Sequence, residues 1–169
     1  MKKIKAERPV IRLNLTTADF FLFTATFIVN AALWWYIIDI YTSLNSEIPT
    51  HYSLEGGIDS TGAKSTIFIL PAVSLVTNLL LYIISFFPHT FNYPVKITEQ
   101  NAAHQYRLGV NLVRWLGFIL SVFFAFVTYM TVQTAAGKAT GPGKWAVAVF
   151  VGLTTIMLVA YFVMAERKK

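Results

Sequence analysis

The residues best equipped for chemistry lie in one short stretch. His51, Glu55 and Asp59 stand four apart and offer one imidazole and two carboxylates. A turn that gathered them would make a nitrogen–oxygen donor set for a cation. The spacing is loose, however, and structural zinc is normally held by four His or Cys ligands. No cofactor is expected, and these three residues are the weak candidates should a metal bind. His51 alone is a candidate acid sensor, or a hydrogen-bonding member of its loop. The chain has no cysteine, which excludes disulfides, thiolate metal sites and cysteine nucleophiles. No Ser-His-Asp arrangement, phosphate-cradling glycine loop or paired-carboxylate site stands out. The chain therefore reads as a non-enzyme.

The elements that position this stretch follow from composition. Of 169 residues, 56% are apolar and 13% charged, whereas a soluble domain is about a quarter charged. Four stretches carry no charge: Phe20–Ile38, Ser65–Phe87, Trp115–Ala136 and Trp145–Ala165. Each approaches the roughly 20 residues that a helix needs to cross a bilayer. Lipid cannot satisfy backbone N–H and C=O groups, so each span must be helical. The expected fold is all-α: an integral membrane protein of four transmembrane helices, with an ordered extracytoplasmic loop between the first two. The segments are a basic tail at 1–19, helices at 20–42, 65–87, 115–136 and 145–165, an outer loop at 43–64, and a cytoplasmic loop with helix extension at 88–114. An outer turn at 137–144 and a tail at 166–169 complete one domain.

Charge sets the expected orientation. Eleven of the 14 Lys and Arg residues fall in the two tails and the second connection, from Lys2, Lys3 and Lys5 to Lys168 and Lys169. Lys64, Lys138 and Lys144 fall on the other side. The positive-inside rule then puts both termini in the cytoplasm. Trp34, Trp35, Trp115 and Trp145 sit at span ends, where amphipathic rings favour the interface. The first apolar run is too long for a signal peptide and reads as an uncleaved helix. The basic residues are scattered among three segments, which argues against nucleic acid. The bilayer is the expected partner, with a secreted peptide or another membrane protein as candidates.

Local signals add detail. Gly56-Gly57 lies between short alternating runs and predicts a two-residue hairpin turn, with Pro49 fixing its entry and Gly62 relaxing a second turn. Thr98 predicts the N-cap of a helix that runs on into the third span. Pro71 predicts a kink in the second span. The spans hold no Asp, Glu, Lys, Arg or His, which argues against a proton-coupled pump. Asn30 and Asn78 lie near mid-span and are expected to meet as interhelical glue. Arg114 reads as a snorkelling arginine beside Trp115, with a buried pair to Asp19 as the alternative.

The sequence Ile48-Pro49-x-His51, then Gly57-x-Asp59-x-x-Gly62-x-Lys64 and a helix with an early proline, resembles a bacterial membrane domain, domain of unknown function 1648 (DUF1648). The resemblance covers roughly residues 20 to 75. Phe91 to Asn101 and Gln105-Tyr106 resemble a continuation found in four-span members. The domain also forms part of SdpI-type immunity proteins, which protect cells from a secreted toxic peptide and carry further spans that this chain lacks. The resemblance implies membrane location and fold; fold analogy alone assigns no activity.

The expected role is sensing or binding at the outer face, in immunity or envelope stress against membrane-active peptides. The alternative is a small oligomeric transporter or channel subunit. The candidate binding residues are Pro49, His51, Gly57, Asp59, Gly62 and Lys64. His51 and Asp59 would make contacts, the glycines would shape the turn, and Lys64 would close the loop onto the second helix or meet Asp39. Their rival role is to fold the loop. The absence of native cysteine makes the topology directly testable. Single cysteines at Thr61 and Thr140 should react with a membrane-impermeant maleimide on intact cells, and one at Asn92 should not. The reverse pattern would invert the orientation.

Overall fold

The computed structural model describes residues 8–53 and 55–167. Lys2, Lys3 and Lys5 of the basic tail, and Lys168 and Lys169, lie outside the described residues. Four helices run α1 (Thr17–Ile40), α2 (Ile69–Ile84), α3 (Ala102–Ala135) and α4 (Trp145–Arg167), with two antiparallel strands, β1 (Glu47–Tyr52) and β2 (Ile58–Ala63), between α1 and α2. Among the described residues, four helical segments are long and apolar enough to cross a membrane. The helices alternate in direction, so the hairpin and the α3–α4 turn share one end of the bundle. Residues 8–16, the α2–α3 connection and the last turn of α4 share the other.

α3 is the axis, and α1, α2 and α4 all pack on it. At about 1.5 Å per residue its 34 residues span roughly 51 Å, well beyond a hydrocarbon core of about 30 Å. Its first turns therefore extend beyond the hydrocarbon core, as the helical spacing before Arg114 predicts, with Ala102, Tyr106 and Val110 buried against neighbouring segments. The helix begins at Ala102, three residues later than Thr98 suggests. Thr98 still organises the start: its Oγ1 accepts from Asn101 N–H, and its own N–H donates to Asn101 Oδ1.

The packing is inverted relative to a soluble bundle. Phe20, Phe21, Phe27, Leu79, Leu80 and Ile156 are exposed, while Asn30, Ser74, Ser121 and Thr128 are buried. Exposed apolar chains suit lipid, and buried polar ones must find partners. They do so at mid-bundle. Ser121 Oγ on α3 donates to Gly117 O at 2.9 Å, and accepts from Asn30 Nδ2 of α1 at 3.0 Å and Asn78 Nδ2 of α2 at 2.8 Å. Ser74 Oγ closes the network by donating to Asn30 Oδ1 at 2.8 Å. The two asparagines meet through Ser121 rather than directly. Gly117 permits this, because a Cβ there would stand 2.7 Å from Asn78 Oδ1.

Pro71 lies near the start of α2 rather than in its interior. Lys64–Phe68 form a 3-10 helix, α geometry starts at Ile69, and Pro71 falls in the first α-helical turn. At the other end of the bundle, Arg8 Nη1 donates to Phe91 O at 2.5 Å and Tyr106 OH to Pro9 O at 2.9 Å. Burial pushes the Tyr93 phenol up, so it stays protonated and donates to Pro88 O at 2.9 Å. These contacts fold the α2–α3 connection over the bundle. Ser121→Ala would strip two amides of an acceptor and should destabilise the protein by about 1–2 kcal/mol. An unchanged unfolding midpoint in a denaturing-detergent titration would show that the network contributes nothing.

Candidate functional site

The hairpin is bolted down by its apolar face. Ile48 and Pro49 are buried, and Ile48 joins Leu33, Ile37, Leu44, Ile67 and Val132 in the main apolar cluster. Pro49, which lacks an N–H, sits in a two-stranded sheet with no strand beyond it, where proline is tolerated. The register is Ile48 opposite Gly62, Pro49 opposite Thr61 and His51 opposite Ser60, with irregularities on either side of His51. A bulge re-aims side chains. Here it brings His51 Nδ1 and Asp59 Oδ2 to 2.9 Å, with the two side chains 70% and 48% exposed. Glu55 does not join them: among the described residues no group of three His, Asp or Glu side chains gathers. It lies in the strand connection, beyond the paired residues.

The turn is wider than a two-residue Gly-Gly hairpin. Residues 53–57 connect the strands, with Ser53 N–H donating to Gly57 O and Gly56 N–H to Ser53 O. Gly56, not Gly57, carries the unusual backbone, with φ of +85°. It is buried against the α3–α4 turn: a Cβ on Gly56 would meet Gly143 backbone at 2.5 Å, and one on Gly141 would collide with the Gly56 carbonyl. A Cβ on Gly57 would make only an ordinary contact, 3.9 Å from Ser53 Oγ. Gly62 has a separate reason, because a Cβ there would stand 2.9 Å from Thr50 Cγ2. Tyr52 OH donates to Thr131 Oγ1 of α3 at 3.1 Å, and Asn45 Nδ2 to Ala135 O at 3.0 Å. Lys64 Nζ reaches Tyr41 O at 3.4 Å and lies over the Tyr41 ring at 4.8 Å. It closes the hairpin base through Tyr41, not Asp39.

A second polar centre lies at the opposite end. Asp19, in the first turn of α1, forms a capping box with Thr16. Its Oδ1 stands 2.5 Å from Arg114 Nη1, and its Oδ2 2.8 Å from Arg107 Nη1. Arg107 Nη2 also donates to Asn14 O. Arg114 is thus paired, not snorkelling; its side chain is 12% exposed and that of Asp19 5%. A buried carboxylate requires cationic partners. Arg107 was not singled out, although it sits seven residues, or two turns, from Arg114 on the same face of α3.

A four-helix bundle with lipid-facing apolar surface and a docked polar hairpin is the architecture of a multi-pass membrane protein. Residues 22–75, from α1 through the hairpin to the first turns of α2, match the family described as Domain of unknown function (DUF1648). An uncharacterized protein from Archaeoglobus fulgidus is 29% identical over 129 residues, covering 68% of this chain and 70% of that relative. No solved structure matches.

The buried charges give the sharpest prediction here. Asp19→Asn leaves two guanidiniums without their carboxylate and should cost about 3–5 kcal/mol. Combined with Arg114→Gln, the loss should be less than the sum of the single losses. Strict additivity in a double-mutant cycle would mean that the pair does not couple.

Proposed function

We propose that this is a non-enzymatic membrane protein of the cytoplasmic membrane, both termini inside, whose hairpin binds or senses a ligand at the outer face. The observation that carries this reading is the His51–Asp59 pair. Exposed pairs contribute little to stability, yet this one is held at 2.9 Å on a hairpin fixed by Ile48, Tyr52 and Gly56. The arrangement suits recognition: a rigid support presenting an imidazole, a carboxylate and the exposed Ile58. A secreted, membrane-active peptide is the ligand we favour, in an immunity or envelope-stress role, on the resemblance of this segment to immunity proteins. No cofactor or nucleic acid enters this reading.

A second reading is a small oligomeric transporter or channel subunit. It draws on α4, where Val149, Val151, Leu153, Ile156 and Val159 are exposed and open to lipid or a second copy.

The two are separated by survival under a panel of membrane-active peptides. A deletion strain carrying wild type should survive where one carrying His51→Ala/Asp59→Ala, at matched membrane levels, does not. Equal survival of the deletion, wild-type and variant strains would overturn the binding role.

A further inference from the structure

α1 and α2 both lean on α3 and leave a cleft between them of about 440 Å³, at the end of the bundle opposite the hairpin. That volume is within the range of small-molecule sites. Its walls are apolar, from Phe23 and Phe27 on α1 and Leu75 and Leu79 on α2. Phe27 and Leu79 are 64% and 57% exposed, so the cleft opens sideways to lipid. Its two ends are polar. Asp19 and Arg114 stand at the mouth, and Asn30 and Asn78 close the floor.

The length of the cleft identifies what fits. Asp19 and Asn30 are eleven residues apart on one helix, or about 16 Å along its axis. A hydrocarbon core is about 30 Å thick. The cleft therefore runs from one interface to the bilayer midplane, the depth of a single leaflet. Its mouth has a matching charge. Arg107 and Arg114 bring two positive charges to the single carboxylate of Asp19, so one positive charge is left over at headgroup depth. Trp115, half exposed beside Arg114, is a side chain suited to that interface.

We propose that this cleft binds one anionic phospholipid, with one acyl chain along Phe27 and Leu79 and the phosphate at the mouth beside Arg114, which shares Asp19 with Arg107. Basic pockets between transmembrane helices hold anionic headgroups in this way. The asparagine floor is already engaged with Ser121 and Ser74, so it ends the chain's path without demanding a polar ligand.

The test uses the full-length protein, delipidated in detergent and titrated with phosphatidylglycerol or phosphatidylcholine. Bound lipids are counted by native mass spectrometry. Wild type should retain one phosphatidylglycerol at about fivefold lower concentration than phosphatidylcholine. Arg114→Gln should bring that ratio close to one. Leu79→Trp, which fills the cleft from an exposed position without removing packing, should weaken both lipids about tenfold. Ile156→Trp, on the lipid face of α4, should weaken neither. Equal retention of the two lipids by wild type would overturn the proposal. So would a Leu79→Trp protein that binds like Ile156→Trp, since the charge preference would then belong to the surface at large.

Discussion

A serine hydroxyl has one proton and two lone pairs, and Ser121 commits all three. Its proton goes to its own helix, and its lone pairs go to an amide from each of two others. Between lipid-facing helices there is little hydrophobic drive to associate, because lipid tails are as apolar as the side chains. Directional bonds and close packing must decide how α1 and α2 sit on α3. With Gly117 permitting the approach of Asn78, this one hydroxyl sets the depth and rotation of three helices. The cleft on one side and the hairpin platform on the other follow from that arrangement.

The two ends of the bundle use different physics. At one end, Asp19 is removed from water and held by two guanidiniums and a capping box, a centre that breaks at high cost. At the other, His51 and Asp59 stand in water, where their attraction is screened and weak. What is firm there lies underneath: Ile48 in the apolar cluster, Tyr52 on Thr131 and the glycine backbones of the two turns. Stiffness thus comes from apolar and backbone packing, and the exposed polar pair is free to serve other contacts.

The four spans were legible because bracketing charges and a bilayer-length apolar run are local properties of the sequence. The hairpin was legible from its glycines and alternating runs. Its details were not, since whether Gly56 or Gly57 takes positive φ depends on the α3–α4 turn that packs against it. The setting of Pro71 was not legible, because it depends on where α geometry begins, and the preceding 3-10 turn moved that point. Arg114 carried both its readings on its face; the choice was made by Asp19, whose burial no local pattern announces. Asn30 and Asn78 were placed at the right depth, but depth alone did not name the serine between them. Of the candidate residues, His51 and Asp59 came together, Lys64 found Tyr41, and Glu55 stayed apart.

The meeting of Gly56 with Gly141 and Gly143 also orders events in time. The hairpin is synthesised directly after α1 and finds Leu33, Ile37 and Ile67 early, yet the rest of its seat is built from Thr131, Val132 and the turn that follows α3. Tyr52 and its partner Thr131 are 79 residues apart in the chain. A ribosome delivers the N-terminal part first, so α1, the strands and α2 emerge before the α3 side of the seat exists. Closing so distant a contact carries a loop-entropy cost, repaid when the later helices arrive. Completing the hairpin's seat is therefore a late step, and a chain interrupted before Gly141 would leave its Gly56 turn uncovered.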